Sequence, residues 1–149
     1  MMIVIVSLIV FVDQFAKFLA SKFLTIDSPV PVIKGFFYLT LVHNRGAAFG
    51  ILRNQIPLFV FTSVVAIALI YFNLNRRTSK RTSLYSLSLN LILAGALGNL
   101  IDRVARGHVV DFFDFRVWPV FNIADSAITI GAVLLGWLII FKKDASPNL

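Results

Sequence analysis

Four apolar stretches divide the chain, and the polar positions lie between them or at a few places inside them. Residues 1–23 are almost wholly apolar up to Val12 and then carry Asp13 and Lys17. Residues 56–74 and 84–101 hold no charged side chain, and residues 119–141 hold one, Asp125. At ~1.5 Å per residue, each stretch is about long enough to cross a ~30 Å hydrocarbon core. The pattern therefore predicts four transmembrane helices. Pro57 suits a first helical turn. Gly95 and Gly98 permit close helix packing in the third span. The first stretch lacks the basic start and small-residue cleavage site of a signal peptide, so it is expected to be retained.

The segment between the first two spans has another rhythm. Pro29 and Pro31 break any helix. The run from Gly35 to Val42 is rich in aromatic and β-favouring residues, which predicts one or two short strands, and residues 43–50 read as a turn and loop. An apolar sheet outside the helices would rest on the membrane surface, with Phe and Tyr at headgroup level. Residues 35–53 are thus expected to form a small platform supporting a substrate; the plainer reading is an interfacial loop. The residues around Ser146, Pro147 and Asn148 read as a frayed tail. The expected architecture is an all-α integral membrane protein, one four-helix domain over residues 1–149 with a small β-cradle.

Composition strengthens this reading. Of 149 residues, 58% are hydrophobic and 14% charged, against about 25% charged in soluble domains. With no cysteine, disulfides, thiol nucleophiles and Cys-based metal sites are excluded together. The net charge of +7 reads as membrane topology rather than nucleic-acid binding, because the basic residues are scattered. Arg76, Arg77, Lys80, Arg81, Lys142 and Lys143 would lie on one side with both termini. We assign that side to the cytoplasm, weighting the short undiluted cluster above Lys22, Lys34, Arg45, Arg53, Arg103, Arg106 and Arg116 opposite. In this topology Lys17 and Asp125 both lie ~9 Å below the outer edge by helix rise. Asp111 sits in the loop outside, and Lys17, Asp111 and Asp125 converge. Asp13 lies deeper and supports from below.

The stretch from Gly98 to Asp125 carries four of the seven acids, Asp102, Asp111, Asp114 and Asp125. Carboxylates beside or inside apolar spans are costly and point to function. The only histidines are His43 and His108, and no paired-His motif occurs, which argues against zinc hydrolysis. There is no GxSxG elbow and no Gly-rich phosphate loop. A Ser126–Lys17 pair is a minor alternative. Two close carboxylates cannot both ionise, so such a pair holds one proton at neutral pH. One member activates water while the other protonates the peptide carbonyl, with no metal or cofactor. Competing readings are salt bridges from Asp111 and Asp125 to Arg103, Arg106 or Arg116, and proton or ion transport. For Asp13 and Lys17, four apart, the competing reading is mutual neutralisation. Asn122 and Asp125 share one helix face, and Asn99 and Arg103 another, as site groups or as polar glue between helices.

Five blocks in order resemble the lipoprotein signal peptidase family, signal peptidase II of bacteria, over nearly the whole chain. They are Asp13-Gln14-Phe15-Ala16-Lys17, Asn44–Phe49, Gly95–Arg103, Gly107–Phe112 and Phe121–Asp125. The resemblance implies cleavage of diacylglyceryl-modified prolipoproteins just before the lipidated cysteine, in a bacterial cytoplasmic membrane. It implies that Asp111 and Asp125 are the catalytic dyad. Asp13, Lys17, Asn44, Gly98, Asn99, Arg103 and Asn122 fall on positions that the family uses for structure or substrate binding. It implies an outer β-cradle after the first helix. The expected partners are the prolipoprotein and membrane lipids, with the protein monomeric and its site near the outer surface.

Overall fold

The four apolar stretches fold as four helices, because a chain in lipid must satisfy its backbone polar groups internally. The computed structural model describes residues 2–26, 28–46, 54–75 and 83–141. In chain order the elements are α1 (Met2–Phe23), β1 (Val30–Ile33), β2 (Phe37–Asn44), α2 (Ile56–Asn75), α3 (Ser83–Arg106), β3 (Val109–Asp114) and α4 (Ile123–Phe141). All four helices are long and apolar enough to cross a membrane. The basic groups at 76–81 and 142–143, the tail, and residues 47–53 of the expected platform lie outside the described residues.

The bundle is polar inside and apolar outside. Its largest fully buried side chains include Lys17, Asn122, Asp13, Asp102 and Asp111, whereas Phe11, Phe61, Phe72 and Val133 are exposed on its flanks. Helices α3 and α4 approach through glycines. A Cβ on Gly95 would meet the Ala124 carbonyl, and one on Gly131 would lie 2.7 Å from the Ser88 carbonyl. A Cβ on Gly98 would come within 2.6 Å of Asp13 Oδ2. These are the close approaches expected of small residues in a span.

The sheet is antiparallel, in the order β1-β2-β3. The predicted strand after Gly35 is β2. Pro31 lies in edge strand β1, where its missing donor costs no ladder bond. The third strand corrects the expectation of a plain loop around Asp111. Residues 109–114 pair with β2, Val42 facing Asp111 and Asn44 facing Val109. The register shifts between Leu39 and Val42. This bulge buries Thr40, whose hydroxyl donates to Asp114 at 2.7 Å.

Two helix boundaries also differ from expectation. Helix α3 runs past residue 101 to Arg106 and stops at Gly107, whose φ of 70° ends it in the left-handed conformation that glycine adopts freely. Arg103 and Arg106 are therefore helical. Helix α4 begins at Ile123 rather than near Pro119. Just before it, the Phe121 carbonyl accepts from Phe112 N–H at 3.0 Å and Phe113 N–H at 2.8 Å, and Phe121 N–H donates to the Phe113 carbonyl at 3.1 Å. The chain entering α4 is thereby clasped to β3.

Candidate active site

Asp111 lies mid-strand on β3, and Asp125 in the first turn of α4. The Phe121 clasp delivers Asn122 between them. Asn122 and Asp125 form a reciprocal capping box: Asp125 N–H donates to Asn122 Oδ1 at 2.9 Å, and Asn122 N–H to Asp125 Oδ2 at 3.3 Å. Asn122 Nδ2 reaches the other way, donating to Asp111 Oδ1 at 2.6 Å. One side chain therefore contacts both carboxylate residues. Asp125 lies two residues after the start of α4 at Ile123, rather than six residues into a helix beginning at Pro119.

Further amides orient the pair. Asn44 Nδ2 donates to Asp111 Oδ2 at 3.0 Å, and its Oδ1 accepts from Gly46 N–H at 2.9 Å. This local turn aims the amide donor at the carboxylate. Asn99 Nδ2 donates to Asp125 Oδ1 at 2.7 Å. Among the described residues neither Asp111 nor Asp125 forms an ion pair, and the arginines are occupied elsewhere. Arg106 pairs with Asp102, Arg116 with Asp114, and Arg103 lies over the Phe59 ring at 5.3 Å from its centroid. The salt-bridge reading of the two carboxylates does not hold. Burial, and after it the neighbouring charge of Asp125, push the Asp111 carboxyl up to about 7.

Asp111 and Asp125 line one cleft of about 240 Å³, together with Asn44, Asn99, Arg103 and Trp118. A more apolar cavity of about 490 Å³ adjoins it, lined by Phe115, Trp118, Phe121, Asp125, Thr129 and Ile130. Polar groups for a reaction thus stand beside an apolar groove, with Asp125 in both.

Lys17 does not join the two carboxylates directly. Its Nζ lies 2.9 Å from Asp13 and 2.9 Å from Asp102, and donates to Asn99 Oδ1 at 3.0 Å. The expected Asp13–Lys17 pairing is real; among the described residues Lys17 hydrogen-bonds toward the site through Asn99, while its charge also acts on Asp111 and Asp125. The Ser126–Lys17 alternative fails, because Lys17 Nζ is taken up by Asp13, Asp102 and Asn99, while Ser126 donates to the Asn122 carbonyl at 2.9 Å. Asp13 sits beside Asp125 rather than below the site, accepting from Ala124 N–H at 2.8 Å. Gly98 supplies the space in which Asp13 lies. Sequence reasoning gave no role to Gln14 or Asp102. Gln14 Nε2 donates to Asp13, Asp102 and the Gly98 carbonyl at 3.1–3.2 Å. Asp102 was signalled by its i,i+4 spacing from Arg106 just before a terminating glycine.

Comparison with known proteins gives the same direction throughout. A family profile described as signal peptidase (SPase) II matches residues 5–141. The lipoprotein signal peptidase of Caldanaerobacter subterraneus subsp. tengcongensis is 56% identical over 95% of this chain and 97% of its own length. That of Halothermothrix orenii is 47% identical over 91% and 92%. Two solved structures, described as bacterial membrane enzymes obtained by the in meso method, superpose with TM-scores of 0.86 and 0.85 at 34% and 32% identity. The first covers 97% of this chain and 89% of its own, the second 95% and 94%. Nothing among these relatives favours the ion-transport reading. A match over nearly the full chain, in sequence and in fold, places this protein in the lipoprotein signal peptidase (signal peptidase II) family of bacterial membrane peptidases.

Proposed function

We propose that Asp111 and Asp125 are the catalytic dyad with which this prolipoprotein signal peptidase hydrolyses its substrate. The observation that carries the reading is Asn122, which holds both residues at one cleft. A water between the carboxyls loses a proton to the ionised member as it attacks the scissile carbonyl. The protonated member donates to the carbonyl oxygen, and then the roles reverse as the amine leaves. The shared proton belongs to the pair. Asn99, Asn122 and Asn44 hold the carboxyls in place before substrate arrives, which supplies rate by positioning. Asp13, Lys17 and Gly98 support them from α1 and α3. Arg103, at the cleft wall and without an ion pair among the described residues, suits a carbonyl group of the substrate or a phosphate of a neighbouring lipid.

The substrate is a diacylglyceryl-modified prolipoprotein, cut just before the lipidated cysteine. The apolar cavity beside Asp125 fits an acyl chain or the apolar part of a signal peptide, while the polar cleft takes the peptide bond. One chain supplies a complete cleft with both carboxylates, which suits an enzyme acting as a monomer, as one domain in contact with membrane lipid. Purified protein in detergent with chelator should cleave a diacylglyceryl-prolipoprotein, seen as a gel shift. No cleavage by folded protein would refute the reading.

The sheet and both carboxylates share one end of the bundle, and α2 and α4, which precede the basic residues of the sequence at 76–81 and 142–143, end at the other. That asymmetry supports termini in the cytoplasm and the site at the outer surface. The chain has no cysteine, so a single cysteine at the exposed Val117 makes a clean probe. It should react with an impermeant maleimide on intact spheroplasts; protection until lysis would reverse the orientation.

A further inference from the structure

Two buried carboxylates hold the backbone immediately before each member of the dyad. Asp13 Oδ1 accepts from the N–H of Ala124, the residue before Asp125, at 2.8 Å. Asp102 Oδ2 accepts from the N–H of Val110, the residue before Asp111, at 3.1 Å. Lys17 Nζ joins these carboxylates, 2.9 Å from each. All three side chains have 0% of their surface exposed as residues. Gln14 Nε2 makes a second link, at 3.1 Å to Asp13 and 3.2 Å to Asp102.

We propose that Asp102 is a positioning residue for the reaction, and that the Asp13–Lys17–Asp102 bridge sets the separation of the dyad carboxyls. The proposal rests on the dyad reading. Asp102 holds the β3 arm, Asp13 holds the α4 arm, and Lys17 keeps the two at fixed distance.

The bridge also sets an amide. Lys17 carries only donors, so the Asn99 atom facing it must be the oxygen. Asn99 Nδ2 is then turned to Asp125, 2.7 Å from Oδ1. A bridge built only for stability is a weak explanation. Buried ion pairs are often matched or bettered by apolar side chains of similar volume, because desolvating charge is costly. An apolar replacement has no way to hold two backbone N–H groups in register.

Asp102→Asn tests the proposal without stranding a charge. Asp13 and Lys17 remain paired, and Arg106, partly exposed, can turn to solvent. Asparagine still offers an oxygen to Val110 N–H, but Lys17 no longer pulls on it. We expect kcat to fall roughly 10–100-fold with KM within about 3-fold, a loss confined to steps after binding. The two apparent pKa values of the pH–rate bell should move toward each other, because carboxyls that drift apart interact less. Among the described residues the charged groups facing the dyad are Asp13 and Lys17 of α1 and Arg103 of α3, and Asp102→Asn leaves all three in place. The neutral triple variant Asp13→Asn/Lys17→Met/Asp102→Asn guards against a folding failure, since it buries no unpaired charge. It should keep a thermal midpoint near wild type and still show the lowered kcat and narrowed bell.

Wild-type kcat and bell width in either variant, with or without lost thermal stability, would overturn the proposal. Asp111→Asn run alongside separates the two readings. If it cleaves, the dyad reading falls. If it is inactive while Asp102→Asn is wild type, only the bridge falls.

Discussion

Asp111→Asn and Asp125→Asn are each expected to lower cleavage by on the order of 10⁴-fold or more, with folding intact. Asparagine keeps the shape of the side chain but can neither take nor hold the shared proton. One carboxyl alone cannot activate water and protonate the carbonyl together. The packing survives, because each aspartate is held by side-chain amides and backbone rather than by an ion pair. The assay is the gel-shift cleavage of diacylglyceryl-prolipoprotein, and retained activity in either variant would remove that residue from the dyad.

The same substitution at Asp111 has a stability consequence of defined sign. Its carboxyl is held at about 7 in the folded protein, above the ordinary 3.8. The folded state therefore binds the proton more tightly than the unfolded state does. The resulting stability is fully present below pH ~4 and is lost as pH rises through about 7. Its upper bound is about 4 kcal/mol, at about 1.36 kcal/mol for each pH unit between the two values. Asp111→Asn removes this dependence. Its thermal midpoint, followed by tryptophan fluorescence in detergent, should gain on wild type between pH 4.5 and pH 8. A constant difference across that range would show that Asp111 titrates normally.

Asn122→Ala is the second large effect, with kcat expected to fall about 10²–10³-fold, the scale of losing one preorganised donor in an active site. Alanine cannot donate to Asp111 and cannot cap the N–H of Asp125. It also abandons contacts to Asn99 Oδ1 at 3.2 Å and the Val110 carbonyl at 3.3 Å. The lost cap alone costs about 1 kcal/mol of stability. Asn122→Ser separates the two roles. Serine restores the cap, but its short hydroxyl cannot reach Asp111 as well, so stability should recover and kcat should not. Wild-type kcat in Asn122→Ala would show that the link from the Asp111 carboxylate to the Asp125 backbone is dispensable.

Some of the site was legible early and some was not. Asn122 and Asp125 three apart, and Asp13 and Lys17 four apart, declared shared helix faces, and the structure uses both pairs. Strand β3 was missed because Asp111 and Asp114 interrupt an otherwise β-favouring run of Val109, Val110, Phe112 and Phe113. Read as a loop, that run hid the pairing with β2 which brings Asn44 to Asp111. Asp102 was overlooked because α3 was ended at residue 101; with the helix continued to Arg106, Asp102 faces Lys17.

The sequence by itself determined the four spans, the sheet-forming run after the first of them, and which polar residues were too costly to be incidental. Lipid enforces this, since crossing it demands about 20 apolar residues in hydrogen-bonded helices, and each exception stands out. Only the tertiary structure decided which exceptions meet. Lys17 was expected to converge with the dyad; its charge does act on both carboxylates, but its ion pairs tie Asp13 to Asp102, whereas Asn122 stands between Asp111 and Asp125. Those outcomes depend on the β2 bulge, the Phe121 clasp and the close approach at Gly95 and Gly98. Each is a contact between different elements of the fold, which periodicity along one helix or strand does not encode.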